Sequence, residues 1–505
     1  MSEPLEAKRQ EFRIYLRKIR SYEEALGVLY WDLRTGAPKK GADMRSEVIG
    51  SLSGEMFRLS VAPQMEEFLN YFEQSEIREQ LSEVDRVIVR ECRKEFDRSR
   101  KIPPERYEEY VVLTSQAETV WEEAKKKSDF AMFKPYLEKV VAFNREFIGL
   151  WGYEGHPYNT LLDMYEPGMT VDKLDRVFGE LREKLVPLSA AIRERGDAPD
   201  TSMLRQTFDK DRQKQFSLMM LGQLGYDFDA GRLDESVHPF ATGLNPGDVR
   251  ITTRYLENDV VSALFGTIHE CGHALYEQNI STDLYGTPLC TGTSMGIHES
   301  QSRFWENMIG RSRPFWQRYF PDLKKLYPEQ LANADAESFY RAINVTKPSL
   351  IRIEADELTY NLHIMIRYEL EKALFGGELA VEDLPRAWNA KYAEYLGIEP
   401  SNDGEGVLQD VHWSSGGFGY FPSYALGNMY AAQFMQAMRR ELGDIDALVG
   451  EGRFAPIKDW LVDKIYRYGK LQTPGEIVSR VTGEELNPSY LIAYLEEKYR
   501  DIYKL

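Results

Sequence analysis

The chain has 505 residues, 43% hydrophobic and 29% charged, which is ample material for a large buried core. A formal net charge of -18 and a pI near 5.1 argue against nucleic acid and anionic membrane as partners. No run is long and apolar enough to span a bilayer, the opening MSEPLEAKRQEF has no signal-like apolar stretch, and three widely spaced cysteines (Cys92, Cys271, Cys290) form no disulfide framework. The expectation is a cytoplasmic protein folded as one large domain over 1–505, split into two lobes, with no linker or repeat.

From Glu3 to Asp227 the pattern is almost all helical. Leu5, Phe12, Leu16, Ile19, Leu26 and Tyr30 keep helical spacings in the first segment. Breaks fall at Thr35–Gly41, near Pro103 and Pro104, at Gly152–Pro157 and at Glu166–Thr170. Pro104 suits the first turn of a helix running toward Lys127, and Thr170 opens another through Leu185 to Arg195. At Phe228 the texture changes. Glu235–Phe240 and Asp248–Tyr255 carry β-branched residues, and Gly243, Asn245, Pro246 and Gly247 supply turn chemistry, so two or three short strands are expected. A small sheet at such a place can bind an extended chain by strand addition.

Asn258–Gln278 reads as one buried helix, with Asn258 or Asp259 able to cap it. It carries His269-Glu270-Cys271-Gly272-His273, an H-E-x-x-H motif. Residues four apart share a helix face, so two imidazoles can meet one metal ion while Glu270 reaches a water on it. Catalytic zinc usually takes three protein ligands and leaves one position open. Glu299, 26 residues after His273 on a helix expected over Met295–Ser312, completes a His-His-Glu set. Glu270 would then act as general acid/base toward a carbonyl substrate. Cys271 faces away from both histidines and reads as core, as do Cys92 and Cys290. His156 and His363 have no supporting context.

Further helices are expected over Ala355–Phe375, Tyr420–Leu442 and Asn487–Leu505, with an irregular stretch at Gly404–Gly419. His412, Tyr420 and Tyr424 flank its glycines and could either pack or donate to an oxyanion. Arg352 and Asp356, four apart, read as an ion pair, or Arg352 binds a substrate carboxylate. Asp248, Arg250 and Thr252 share one strand face, and His238 could donate to a peptide carbonyl or pack.

Six motifs occur in order: His238-Pro239-Phe240, D-x-R-x-T from Asp248 to Thr252, His269–His273, H-E-S-Q from His298 to Gln301, I-R-x-x-A-D from Ile351 to Asp356, and G-x-x-Q-D-x-H-W from Gly406 to Trp413. With YWDLRTGAPKKG near the start, they make the whole chain resemble the carboxypeptidase Taq family of metallocarboxypeptidases. The resemblance implies a mainly helical, neurolysin-like fold with a small sheet beside a deep groove, the active-site motifs lying within 238–424. It implies His269, His273 and Glu299 as ligands of one zinc ion, with cobalt able to substitute, and Glu270 as general acid/base. It implies release of single C-terminal residues from peptides with broad specificity, by a homodimer; an oligopeptidase or dipeptidyl carboxypeptidase on the same fold is the alternative. It raises His412 and Tyr424 as oxyanion donors, and Arg352, then Arg250, as partners of the substrate carboxylate, with His238 and Tyr420 also lining the substrate. One departure stands out. Many such enzymes carry an Asp four residues after the Glu ligand to orient a histidine, and here that residue is Arg303. Asp410 or Asp356 is expected to replace it.

Overall fold

The first helix, Glu3–Thr35, shows why most of this chain is helical. Leu5, Phe12, Leu16, Ile19 and Leu26 are buried at three- and four-residue steps, so one stripe faces the core. The expected Tyr30 is not part of that stripe: it is exposed, and Trp31 is buried in its place, with the guanidiniums of Arg232 and Arg250 over its ring at 5.1 and 4.6 Å. The computed structural model describes residues 3–505. Helices follow over most of the chain, and one contiguous set of buried apolar residues runs from Leu5 to Tyr503. Pro104–Lys127 and Val171–Arg195 lie where proline and the Thr170 cap place them; the Thr170 hydroxyl accepts the Lys173 amide. Among the described residues no helix is long and apolar enough to cross a membrane.

Three short strands interrupt the helices: β1 (Leu233–Glu235), β2 (Ala241–Asn245) and β3 (Asp248–Thr253). β3 is central, parallel to β1 and antiparallel to β2, with an irregularity between Gly243 and Asn245. The expected strand over Glu235–Phe240 is absent beyond Glu235. Pro239 has no amide proton for a ladder, and the Thr252 hydroxyl accepts the Phe240 amide and bonds the Ser236 hydroxyl, folding this stretch back on β3. Gly243 lies within β2, so the turn is made by the residues after Asn245. The sheet is wedged between two helices. On one side Gly27 brings the first helix so near β2 that a Cβ there would lie 2.5 Å from the Leu244 methyl. On the other, the Thr253 hydroxyl accepts from Thr267 of the next helix at 2.9 Å.

That helix, Val260–Gln278, is the centre of the molecule, and its Asp259 cap accepts the Ser262 amide at 3.0 Å. Two helices then stack over it through glycines. A Cβ on Gly272 would lie 2.5 Å from the Gln301 carbonyl, so Val260–Gln278 meets Met295–Arg303 backbone to backbone. A Cβ on Gly427 would lie 2.7 Å from Cγ of Glu299, so Pro422–Leu442 presses on Met295–Arg303 at Glu299. Glu299 is thereby fixed between two helices.

Candidate metal centre and active site

His269 and His273 stand one helical turn apart, with ring centroids at 5.0 Å. Their Nε2 atoms lie 3.7 and 3.6 Å from the same Glu299 oxygen. Among the described residues these three form a cluster whose ligand atoms all fall within 4.8 Å of one another, an arrangement able to hold a metal ion. All three side chains are largely buried.

The hydrogen bonds behind the ring decide which nitrogen is free. His269 Nδ1 lies 2.8 Å from Glu306, a carboxylate that can only accept, so Nδ1 carries the proton. His273 Nδ1 meets His298 Nδ1 at 2.6 Å, and His298 Nε2 meets Glu277 at 2.8 Å. Glu277 accepts from Nε2 of His298, which leaves its Nδ1 bare to accept from His273. With the Nδ1 atoms engaged in this way, each histidine has Nε2, the nitrogen facing Glu299, to offer a metal ion. Burial lowers His273 to about 4, which keeps it neutral.

Neither Asp410 nor Asp356 orients a histidine, contrary to the sequence-based expectation. Asp410 is bound to Arg352 and Arg367, and Asp356 caps the Glu357–Gly376 helix through the Leu358 and Thr359 amides. The role falls instead to Glu306 and to the His298–Glu277 pair. Glu277 is one turn beyond His273 on the same face, and Glu306 is two turns beyond Glu299, so the spacing carried the signal. The helix after Arg303 widens into a π turn over Phe304–Gly310, a form frequent at functional sites, which carries Glu306 under His269. Arg303 bonds both Glu299 (2.7 Å) and Glu306 (3.2 Å), and so fixes the Glu299 carboxylate rather than a histidine. Burial opposes the Glu299 charge, but the Arg303 guanidinium outweighs it and holds the carboxyl well below the ordinary range.

Glu270 is buried beside His269. Burial pushes its carboxyl up to about 7. The irregular loop then brings a second group of side chains together. His412 Nε2 lies 3.5 Å from the Tyr424 hydroxyl, Tyr420 stacks edge-on against Tyr424 at 5.2 Å, and burial lowers His412 to about 4. Arg352 sits over the Tyr424 ring at 5.1 Å. It does not pair with Asp356: it lies in a 3-10 turn, Arg352–Glu354, that ends in extended backbone at Ala355, so the two do not share a helix face. Arg352 and Arg367 instead share Asp410, and Gln409 accepts from both. Two buried guanidiniums facing one carboxylate leave one positive charge in excess. Tyr360, which sequence reasoning missed, links the two groups: Arg303 lies over its ring at 4.7 Å and its hydroxyl accepts from Arg352 at 3.0 Å.

His238 is exposed on the loop that Thr252 holds, and the next residue, Pro239, lies 3.9 Å from a Cβ on Gly266, about one helical turn before His269. Arg250 is engaged elsewhere: Asp248 binds it at 2.8 and 2.7 Å, and Trp31 lies beneath it. Its charge is already matched. Cys271 is fully buried, and Cys92 and Cys290 are buried as free thiols.

The sequence model of the carboxypeptidase Taq (M32) metallopeptidases matches residues 11–499. Carboxypeptidase 1 of Bacillus subtilis is 54% identical over 98% of this chain and 99% of its own length. Thermostable carboxypeptidase 1 of Thermus thermophilus is 44% identical over 96% of each chain. The crystal structure of the M32 carboxypeptidase from Deinococcus radiodurans R1 superposes with a TM-score of 0.96 at 38% identity, covering 99% of this chain and 100% of that one. With near full-length agreement in sequence and in fold, this chain belongs to the carboxypeptidase Taq (M32) family of metallopeptidases.

Proposed function

We propose that the chain is a metal-dependent exopeptidase that releases single residues from free peptide C-termini with broad preference, as one peptidase domain whose lobes flank the groove. The observation that carries this reading is that Nε2 of His269 and Nε2 of His273 both face one oxygen of Glu299, at 3.7 and 3.6 Å. Two neutral imidazoles and one carboxylate suit zinc, with cobalt as a substitute, and three protein ligands leave room for substrate. A divalent ion held there supplies Lewis acidity toward a carbonyl and lowers the pKa of water.

The chain's own residues do the rest. Glu270 takes a proton from the attacking water and passes it to the leaving amine. His412 and Tyr424 give hydrogen bonds to the developing oxyanion. The Nδ1 of His412 is buried without a hydrogen-bond partner, which leaves Nε2, the nitrogen beside Tyr424, to meet a ligand. Tyr420 and His238 line the bound peptide. Arg352 takes the substrate carboxylate, supported by the excess positive charge it forms with Arg367 and Asp410. Arg250, already matched by Asp248, is the weaker choice. A cytoplasmic homodimer is the expected form, on family resemblance.

The test is a digest of two peptides of one sequence, one with a free C-terminus and one amidated, followed by mass spectrometry. Single residues should leave the free acid alone, and a chelator should stop the reaction. Two-residue products, internal cuts or equal cutting of the amide would replace this reading with an oligopeptidase.

A second outcome concerns pH. Burial holds Glu270 up to about 7, and the charge of a divalent ion draws it down. The base works ionised, so its contribution is present above its pKa and lost as pH falls through it. The acid limb of kcat/KM should therefore have a midpoint below about 7. A rate that climbs on acidification through that range would rule out a carboxylate base.

A further inference from the structure

Glu371 lies on the Glu357–Gly376 helix and is fully buried, yet no step above uses it. One of its oxygens accepts the indole N–H of Trp413 at 2.7 Å. The other accepts the backbone N–H of Gly419 at 2.8 Å and the hydroxyl of Tyr158. Trp413 directly follows His412, and Gly419 directly precedes Tyr420. The two donors thus mark both ends of the turn between the residues that face the substrate. The turn has no slack of its own. Gly419 has φ +88°, and a Cβ there would lie 2.7 Å from the Leu161 backbone. Leu161 belongs to the short helix Tyr158–Tyr165 that also supplies Tyr158.

Both N–H donors are fixed in direction, one by a ring and one by the backbone. They reach different oxygens, so the side chain must accept on both. A carboxylate does so. Burial pushes this carboxyl up to about 7, and the protonated acid still serves both donors if its own proton goes to the Tyr158 oxygen. A primary amide cannot, because whichever way it turns its NH₂ confronts one of the two N–H groups.

We propose that Glu371 is a positioning residue for the peptidase reaction, holding both ends of the Trp413–Gly419 turn so that His412 and Tyr420 keep their places against the substrate. The inference rests on the reading of His412 as an oxyanion donor. Glu371→Gln should leave metal content and KM within about twofold and lower kcat by about tenfold or more, since small misplacements of positioned groups carry losses of that size. In a His412→Ala background the same change should lower kcat clearly less than it does in the parent, because part of its effect runs through His412. Hydrogen exchange of the Trp413–Tyr420 amides should quicken in Glu371→Gln. Trp413→Phe, which keeps a packed ring and removes one donor, should reproduce a weaker form of both effects, and it serves should the glutamine variant fail to fold. Equal kcat losses in both backgrounds, or unchanged exchange and kcat in Glu371→Gln and Trp413→Phe, overturn the proposal. Full turnover in His412→Ala alone would instead remove the oxyanion reading, and exchange would still report whether Glu371 holds the turn.

Discussion

Glu270→Gln should abolish most turnover and leave the protein otherwise intact. The substitution keeps shape and volume, so the central helix loses no packing. It removes the only property the proposed mechanism asks of this side chain, the ability to take a proton. A general base contributes roughly 10²–10⁴-fold, and coupling to the metal raises the expected loss toward or beyond the upper end. Stability should move the other way. Burial raises the Glu270 carboxyl to about 7, above its unfolded value, so holding it ionised at higher pH opposes folding. The neutral amide carries no such penalty, and the melting temperature at pH 8 should stay level or rise. Steady-state turnover, metal content and thermal melting on one preparation check all three. A metal-loaded glutamine variant with near-normal turnover would sink the assigned chemistry.

This separation of roles also shows how far the sequence could be read. The central helix was legible because its signals are local: a cap, an apolar body, and two histidines one turn apart on a shared face. Glu299, the proposed third ligand, needed only one more helix, and it does cluster with the two histidines. The groups that orient the histidines were harder. Glu277 and Glu306 sit at helical spacing from the proposed ligands, but a π turn and a histidine-to-histidine contact intervene, and neither follows from periodicity. The misread strand at Ser236–Phe240 failed for a related reason. Its β-branched look is local, whereas the Thr252 hydroxyl that folds it away comes from β3. The Arg352–Asp356 pair fails because four-residue spacing means a pair only inside a helix, and the 3-10 turn ends before Asp356. Glu371 gave no sequence signal at all, since two of its donors lie 42 and 48 residues on and the third, Tyr158, 213 before it, joined to it only by the fold.

Glu299→Ala should remove the metal, and with it all activity. The residue supplies the only anionic oxygen in the proposed ligand set, and two neutral imidazoles alone do not make the usual three-ligand site. Loss of an orienting group outside the ligand set typically weakens metal binding 10–100-fold, so loss of a ligand should exceed about a hundredfold. The alanine change carries a second cost that must be told apart from the first. The Glu299 carboxylate is also the 2.7 Å partner of the buried Arg303, and its stem fills the contact with Gly427. Truncation leaves a buried cation with Glu306 alone and opens a gap between two helices, so the melting temperature should fall even without metal. Glu299→Gln separates the two effects. The amide keeps the helix contact and an oxygen that can accept from Arg303, but brings no charge to the ion. Both variants should lose metal on dialysis, measured by elemental analysis, while only alanine should melt markedly lower in the metal-free form. Retention of stoichiometric metal by Glu299→Ala would move the third ligand elsewhere, and Glu306, already within reach of His269, would be the first place to look.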